Sequence, residues 1–134
     1  MLQLSKKVEY ALIALRHMAM NPAGRVFTAK EISAKYDISY ELLAKILQKL
    51  TKAGVVFSTQ GMHGGYSLAK KPNEIQVSSI IKVIEEEKPT IAECYAEGGE
   101  SCNIFNACTI RKPLGKMQHN LNILLEKTTL EQIV

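Results

Sequence analysis

Cys94, Cys102 and Cys108 are the only cysteines in a chain of 134 residues, separated by seven and then five residues. Disulfide pairing, metal ligation, thiol redox chemistry and chance could each account for such a stretch. An odd count leaves one thiol over in any disulfide framework. Redox exchange asks for C-x-x-C or a nearby activating histidine, and the stretch has neither. Structural zinc usually sits on paired C-x2-4-C knuckles, which these spacings do not make, although three cysteines with one further ligand stay chemically possible. Bare thiols that respond to oxidant are the remaining reading. His119 lies eleven residues past Cys108, about three helical turns away, too distant for an obvious fourth ligand. His17 and His63 fall on other elements, and Glu93, Glu97 and Glu100 are oxygen donors within or beside the loop.

The surrounding chain narrows the choice. Its hydrophobic fraction is 46%, and no apolar run approaches the roughly 18 residues of a membrane span. The opening MLQLSKKVEYALIAL sets charges inside its apolar pattern, unlike a secretory leader or an anchor. A cytosolic chain without membrane partners is expected, where stable disulfides are disfavoured. The net charge of +4 is unevenly spread: residues 1–75 hold 11 Lys and Arg against 5 Asp and Glu, and residues 76–134 hold 6 against 8. A solvated surface would allow that asymmetry, and so would a polyanion partner on the first half.

The elements give the asymmetry a geometry. Leu4, Val8, Ala11, Leu12, Leu15 and Ala19 recur at helical spacing, predicting a helix from about Ser5 to Met20 that Asn21-Pro22 ends. Thr28 and Glu31 have capping-box spacing, with Phe27 and Ile32 as a hydrophobic staple, and open a short second helix. Ser39 is the expected N-cap of a third, with Gly54 past its end. On that third helix Leu42, Leu43, Ile46, Leu47 and Leu50 face inwards. Glu41, Ala44, Lys45, Gln48, Lys49 and Lys52 face outwards. Two short helices joined by a tight turn form a helix-turn-helix, the second being its reading helix. Val55 to Thr59 and Tyr66 to Ala69 then make a hairpin around QGMHGG, which is a wing. Val77, Ile80, Ile81 and Ile84 mark a fourth helix.

Beyond the cysteines, Ile110, Leu114, Met117, Leu121 and Leu124 are spaced 4, 3, 4, 3. That is a heptad seam, narrower than the stripe of a helix lying on its own core, and it predicts a dimerisation helix starting near Pro113. Thr128 and Glu131 predict a last capping box. The expected class is mainly α with a small β-hairpin: a winged helix-turn-helix over residues 1–75, and a cysteine loop with dimerisation helices over 76–134, in one compact domain.

The stretch ISYELLAKILQKLTKAGVVFSTQGMHGGYSLAKKPNEIQVSSIIKVIE, the LSKKVEYAL opening and the loop running into CTIRKPLGKMQ together resemble a bacterial family of winged-helix regulators. Its members include the iron–sulfur cluster assembly regulator, the nitric-oxide-sensing repressor and the rhizobial iron regulator. The resemblance spans nearly the whole chain. It implies a cytosolic homodimer, not an enzyme, crossed through the long C-terminal helix and bound to a palindromic operator in promoter DNA. It also implies an iron–sulfur cluster on Cys94, Cys102 and Cys108. In this family the usual gaps are five and five residues; here the first gap is YAEGGES, whose Gly98 and Gly99 allow a flexible loop to absorb two more.

Clusters commonly take four soft ligands, so three thiolates leave one iron in need of a partner. Glu9 matches the position from which, in the nitric-oxide-sensing branch, the other subunit completes a [4Fe-4S] cluster. The same residue could instead form a surface ion pair with Lys6 or Lys7. A [4Fe-4S] cluster is expected, with [2Fe-2S] as the other form. DNA would be met by Ser39, Tyr40, Glu41, Lys45, Gln48 and Lys49 of the reading helix and by Gln60 and His63 of the wing. Cluster-assembly regulators place an arginine where this chain has Gln60, so the positive charge favoured by narrow A·T-rich grooves is missing here. The expected function is therefore a DNA-binding regulator, a repressor by its resemblance, controlled by a cluster that senses redox state, nitric oxide or iron supply. A cluster-free thiol or zinc repressor, and an iron–sulfur carrier without DNA binding, are the alternatives.

Overall fold

The computed structural model describes residues 3–21, 25–87, 89–95, 99 and 102–134. Helix α1 (Lys6–Ala19) is capped by Ser5, whose hydroxyl accepts from the Val8 N–H. Helix α2 (Ala29–Tyr36) is capped in the same way by Thr28, which accepts from Glu31. Asp37 closes α2 in the left-handed conformation with φ 53°, which Asp tolerates better than most residues. Helix α3 (Tyr40–Lys52) starts at Ser39. Its exit is a Schellman motif: Gly54 N–H donates to Thr51 and Val55 N–H to Leu50, both at 3.0 Å, with Gly54 at φ 79°. That geometry favours a residue without a Cβ.

Because Val55 is spent on this cap, strand β1 begins one residue later than the alternation predicts, at Val56–Thr59. It pairs antiparallel with β2 (Gly65–Leu68), Val56 opposite Leu68 and Thr59 opposite Gly65. Phe27 adds a bridge to Tyr66 with hydrogen bonds in both directions, tying the hairpin to the start of α2.

Helix α4 (Val77–Glu85) and helix α5 (Arg111–Lys127) complete the α elements described. Pro113 lies third in α5 rather than at its start, and this is tolerated because the first four N–H groups of a helix have no intrahelical acceptor. Short 3-10 turns cover Pro72–Glu74, Glu93–Tyr95 and Leu130–Ile133. The last capping box joins Thr129 and Gln132, one position beyond the expected Thr128 and Glu131. Thr128 is occupied elsewhere: its hydroxyl donates to Leu124 at 2.7 Å as α5 ends, and its carbonyl accepts from Val77.

Val8, Leu15, Phe27, Ile32, Leu43, Leu47, Leu50, Val56, Ile80 and Leu130 are the large side chains sealed in the core. Each contributes about 1.5–3 kcal/mol by leaving water. The core draws on α1, α2, α3, β1, α4 and the terminal turn together. Leu130 is pinned there by its N–H to Ile75 C=O, and Arg16 donates to Ile133 C=O. Among the described residues no helix is long and apolar enough to cross a membrane.

Candidate nucleic-acid interface and cysteine loop

The buried Leu43, Ile46, Leu47 and Leu50 turn the opposite side of α3 to solvent. Ser39, Tyr40, Glu41, Lys45, Gln48 and Lys49 are all exposed there. Gln60 and His63 are exposed at the hairpin tip, with Met62 between them 95% exposed. Ser39, Tyr40 and Glu41 expose the N-terminal end of α3, where first-turn N–H groups lack intrahelical acceptors. Lys49 has a second engagement: its ammonium donates to Ile84 C=O at 3.4 Å and stands 4.0 Å from the Glu86 carboxylate. It therefore sits at the rim of the face, against the end of α4.

All three cysteines carry free thiols and are partly exposed. Cys94 is in the 3-10 turn Glu93–Tyr95. Cys102 donates its N–H to Gly99 and accepts from Phe105 N–H. Among the described residues no group of three His, Cys, Asp or Glu side chains is gathered as metal ligands. The donor chemistry suits a thiophilic centre, whereas the described geometry leaves the three sulfurs ungathered. Glu97, Glu100 and the side chain of Glu93 lie outside the described residues. Glu9 pairs with Lys6 at 3.0 Å, both side chains well exposed, and this contact raises the Lys6 pKa first by hydrogen bonding and then by charge. His17 is buried against Tyr36, and His119 is exposed on α5.

The seam residues Ile110, Met117 and Leu124 are 55–60% exposed, while Leu114 and Leu121 are half-buried. Met117 and Leu121 also edge an apolar groove of about 620 Å³ reaching Leu4, Val8, Ile81 and Ile91. Contacts that no apolar pattern announces hold the described ends of the cysteine loop. Gln118 bonds Pro89 and Ile91, Tyr95 bonds Arg111, and the Arg111 guanidinium lies 4.1 Å over the Phe105 ring. The spacing of Arg111, Gly115, Gln118 and Asn122, again 4, 3, 4, was the available sign.

The profile of the Rrf2 family, described as an iron-dependent transcriptional regulator, matches residues 4–134. The chain belongs to the Rrf2 family. Among curated Rrf2-like sequences, the HTH-type transcriptional regulator NsrR of Oceanobacillus iheyensis is 32% identical over 99% of this chain and 90% of its own length. That of Halalkalibacterium halodurans is 28% identical over 99% and 90%. Two solved structures at 25% identity share the architecture: CymR, the global cysteine regulator of B. subtilis, with TM-score 0.74 over 99% of this chain and 96% of that one, and T. potens IscR, with TM-score 0.75 over 98% and 85%. This Rrf2 protein is thus a winged-helix, DNA-binding transcriptional regulator and not an enzyme.

Proposed function

We propose that this protein is a cytosolic homodimer that binds a palindromic promoter operator, with affinity set by an iron–sulfur cluster on Cys94, Cys102 and Cys108. The observation that carries the reading is the placement of three free, partly exposed thiols in one loop fastened to the helix that bears the seam. NsrR and IscR relatives support it. Residues 1–75 would read DNA, and residues 76–134 would hold the cluster and the second copy.

In this reading Lys45 supplies sequence-independent affinity by displacing counterions, with Lys49 at the rim of the same face. Tyr40, Glu41, Gln48, Gln60 and His63 meet bases or backbone, and Ser39 a phosphate. Ile110, Leu114, Met117, Leu121 and Leu124 cover one another across the two-fold axis, which sets the distance between reading helices. The three thiolates would hold the cluster, proposed as [4Fe-4S], with Glu9 of the partner subunit as an oxygen ligand. When bound, such a group supplies redox- and ligand-sensitive iron.

Anaerobic purification followed by native mass spectrometry and absorbance tests this. A dimer whose mass includes four iron and four sulfide per subunit, with absorbance near about 400 nm, is expected. Cys102→Ala and Cys108→Ala should each lose the colour while staying folded. Full colour in both variants would overturn the assignment. A colourless parent whose operator affinity changes with oxidant would instead establish a thiol-based regulator. That second reading is favoured by the ungathered thiols and by the likeness to CymR, a cysteine regulator.

A further inference from the structure

Helix α5 carries two rows of residues displaced by one position, hence by about 100° around its axis. One is the seam. The other, Arg111, Gly115, Gln118 and Asn122, holds the chain entering and leaving the cysteine loop. Gln118 is buried, and its amide is used at both ends. Its Oε1 accepts from Ile91 N–H at 2.8 Å. Its Nε2 donates to Pro89 C=O at 2.8 Å and to Asn122 Oδ1 at 2.9 Å. Towards the start of the same row, the Tyr95 hydroxyl donates to Arg111 C=O. That hydroxyl occupies the space over Gly115, where a Cβ would come within 2.7 Å of it. Cys94 therefore stands between two anchors, Ile91 and Tyr95, both fixed to one row of α5.

A leucine at 118 would satisfy packing without burying an amide, which is costly unless every partner is present. What the amide adds is register. It recognises the carbonyl of Pro89, a residue with no N–H of its own, together with the N–H two residues later. A shift of that segment along α5 would break both bonds at once and leave the buried amide without them.

We propose that Gln118 is the positioning residue of the cysteine loop: it locks residues 89–91 to α5 so that Cys94 keeps one fixed station relative to the seam. This rests on the reading of the cysteines as the responsive site and adds the part that delivers their state to α5.

The test uses the full-length, reduced, metal-free protein and measures hydrogen exchange at the Ile91 amide and iodoacetamide alkylation of each cysteine. Gln118→Leu should lower Ile91 protection about tenfold or more, the effect of losing one buried hydrogen bond. Cys94 should alkylate several-fold faster, with Cys102 and Cys108 unchanged. Gln118→Glu adds a readout that a packing role would not move. Burial against the Pro89 carbonyl should raise the pKa of the introduced carboxyl above its ordinary value of about 4.3. Protonated, it can donate to Pro89 and accept from Ile91; ionised, it is repelled by the Pro89 carbonyl so that the segment is released. Ile91 protection, corrected for intrinsic exchange, should then match the parent near pH 5 and fall by pH 8, a profile the parent lacks.

Parent-like protection and Cys94 reactivity in Gln118→Leu would overturn the proposal. Uniform loss of protection through α4 and α5 would overturn it too, since Gln118 would then be a general stability residue. A colourless parent protein would count against the cluster alone, because none of these measurements depends on metal.

Discussion

The Nδ1 of His17 lies 2.8 Å from the Tyr36 hydroxyl, fastening the last turn of α1 to the last residue of α2. The imidazole also meets the Phe27 ring edge-on, 4.9 Å between centroids, and Phe27 bridges to Tyr66 of the wing. One side chain thus joins α1, α2 and, through Phe27, the hairpin. Burial pushes its pKa below the usual imidazole range, the charges of Lys35 and then Arg25 push the same way, and Glu31 opposes them. Below about pH 6.5 the unfolded chain takes up this proton more readily than the folded one. Stability should therefore fall as pH drops through that value and level off below the lowered folded pKa. Thermal unfolding between pH 8 and 5 should show this slope in the parent and a shallower one in His17→Gln.

Replacing the charge on the exposed face of α3 should weaken binding to every DNA sequence. Lys45→Ala is expected to lower the dependence of log affinity on log salt by about 1, the release of one counterion. Gln60→Ala should weaken operator binding with little change in that slope, because it removes hydrogen bonds and no charge. Titrations at several salt concentrations separate the two, and unchanged affinity in both would mean that α3 and the wing tip are not the reading surface.

Glu9 offers two separable outcomes. As a partner of Lys6 in solvent it contributes about 0–1 kcal/mol, so Glu9→Ala should barely shift a denaturation midpoint. As a ligand for the partner subunit's cluster, it should matter in air: Glu9→Ala shortens the lifetime of the colour and Glu9→Cys lengthens it. Equal lifetimes in all three proteins would leave Glu9 with the ion pair only.

Gly65 opens β2 where the bridge from Phe27 crosses the hairpin. A Cβ there would come within 2.5 Å of the Phe27 carbonyl oxygen and 2.7 Å of Val26 Cγ1, on a backbone of φ 157°. Gly65→Ala should cost about 1–3 kcal/mol in urea unfolding. The loss should concentrate in exchange protection of Phe27 and Tyr66, whose amides form the bridge. Gly61 has open space at its Cβ and serves as the comparison, its strain being confined to its own φ of 102°.

Local chemistry made most of the helix-turn-helix and its hairpin legible. Ser5, Thr28, Ser39 and Gly54 each cap in a way that depends on residues within a few positions, and the apolar period of α3 needs no distant information. The same kind of spacing made helix α5 visible. The cysteine loop was legible as chemistry and not as geometry, because its supports are long-range: Gln118 reaches back 27 residues to Ile91. A buried glutamine looks no different in sequence from a solvated one. The terminal capping box slipped by one residue for a similar reason, Thr128 being recruited by α5 and by Val77.

The Schellman closure of α3 has a consequence for how a signal can act. Within three residues of Lys52 the chain has passed from helix through Gly54 to Val55, whose N–H is held by Leu50 and whose C=O is held by Ala69 across the hairpin. Helix α3 and the hairpin are thereby joined directly, like one jaw, without an intervening linker. A change of angle between them would have to break the bonds at Val55. In the proposed dimer, regulation is left one mechanical freedom, the angle at which the two jaws face each other along the operator.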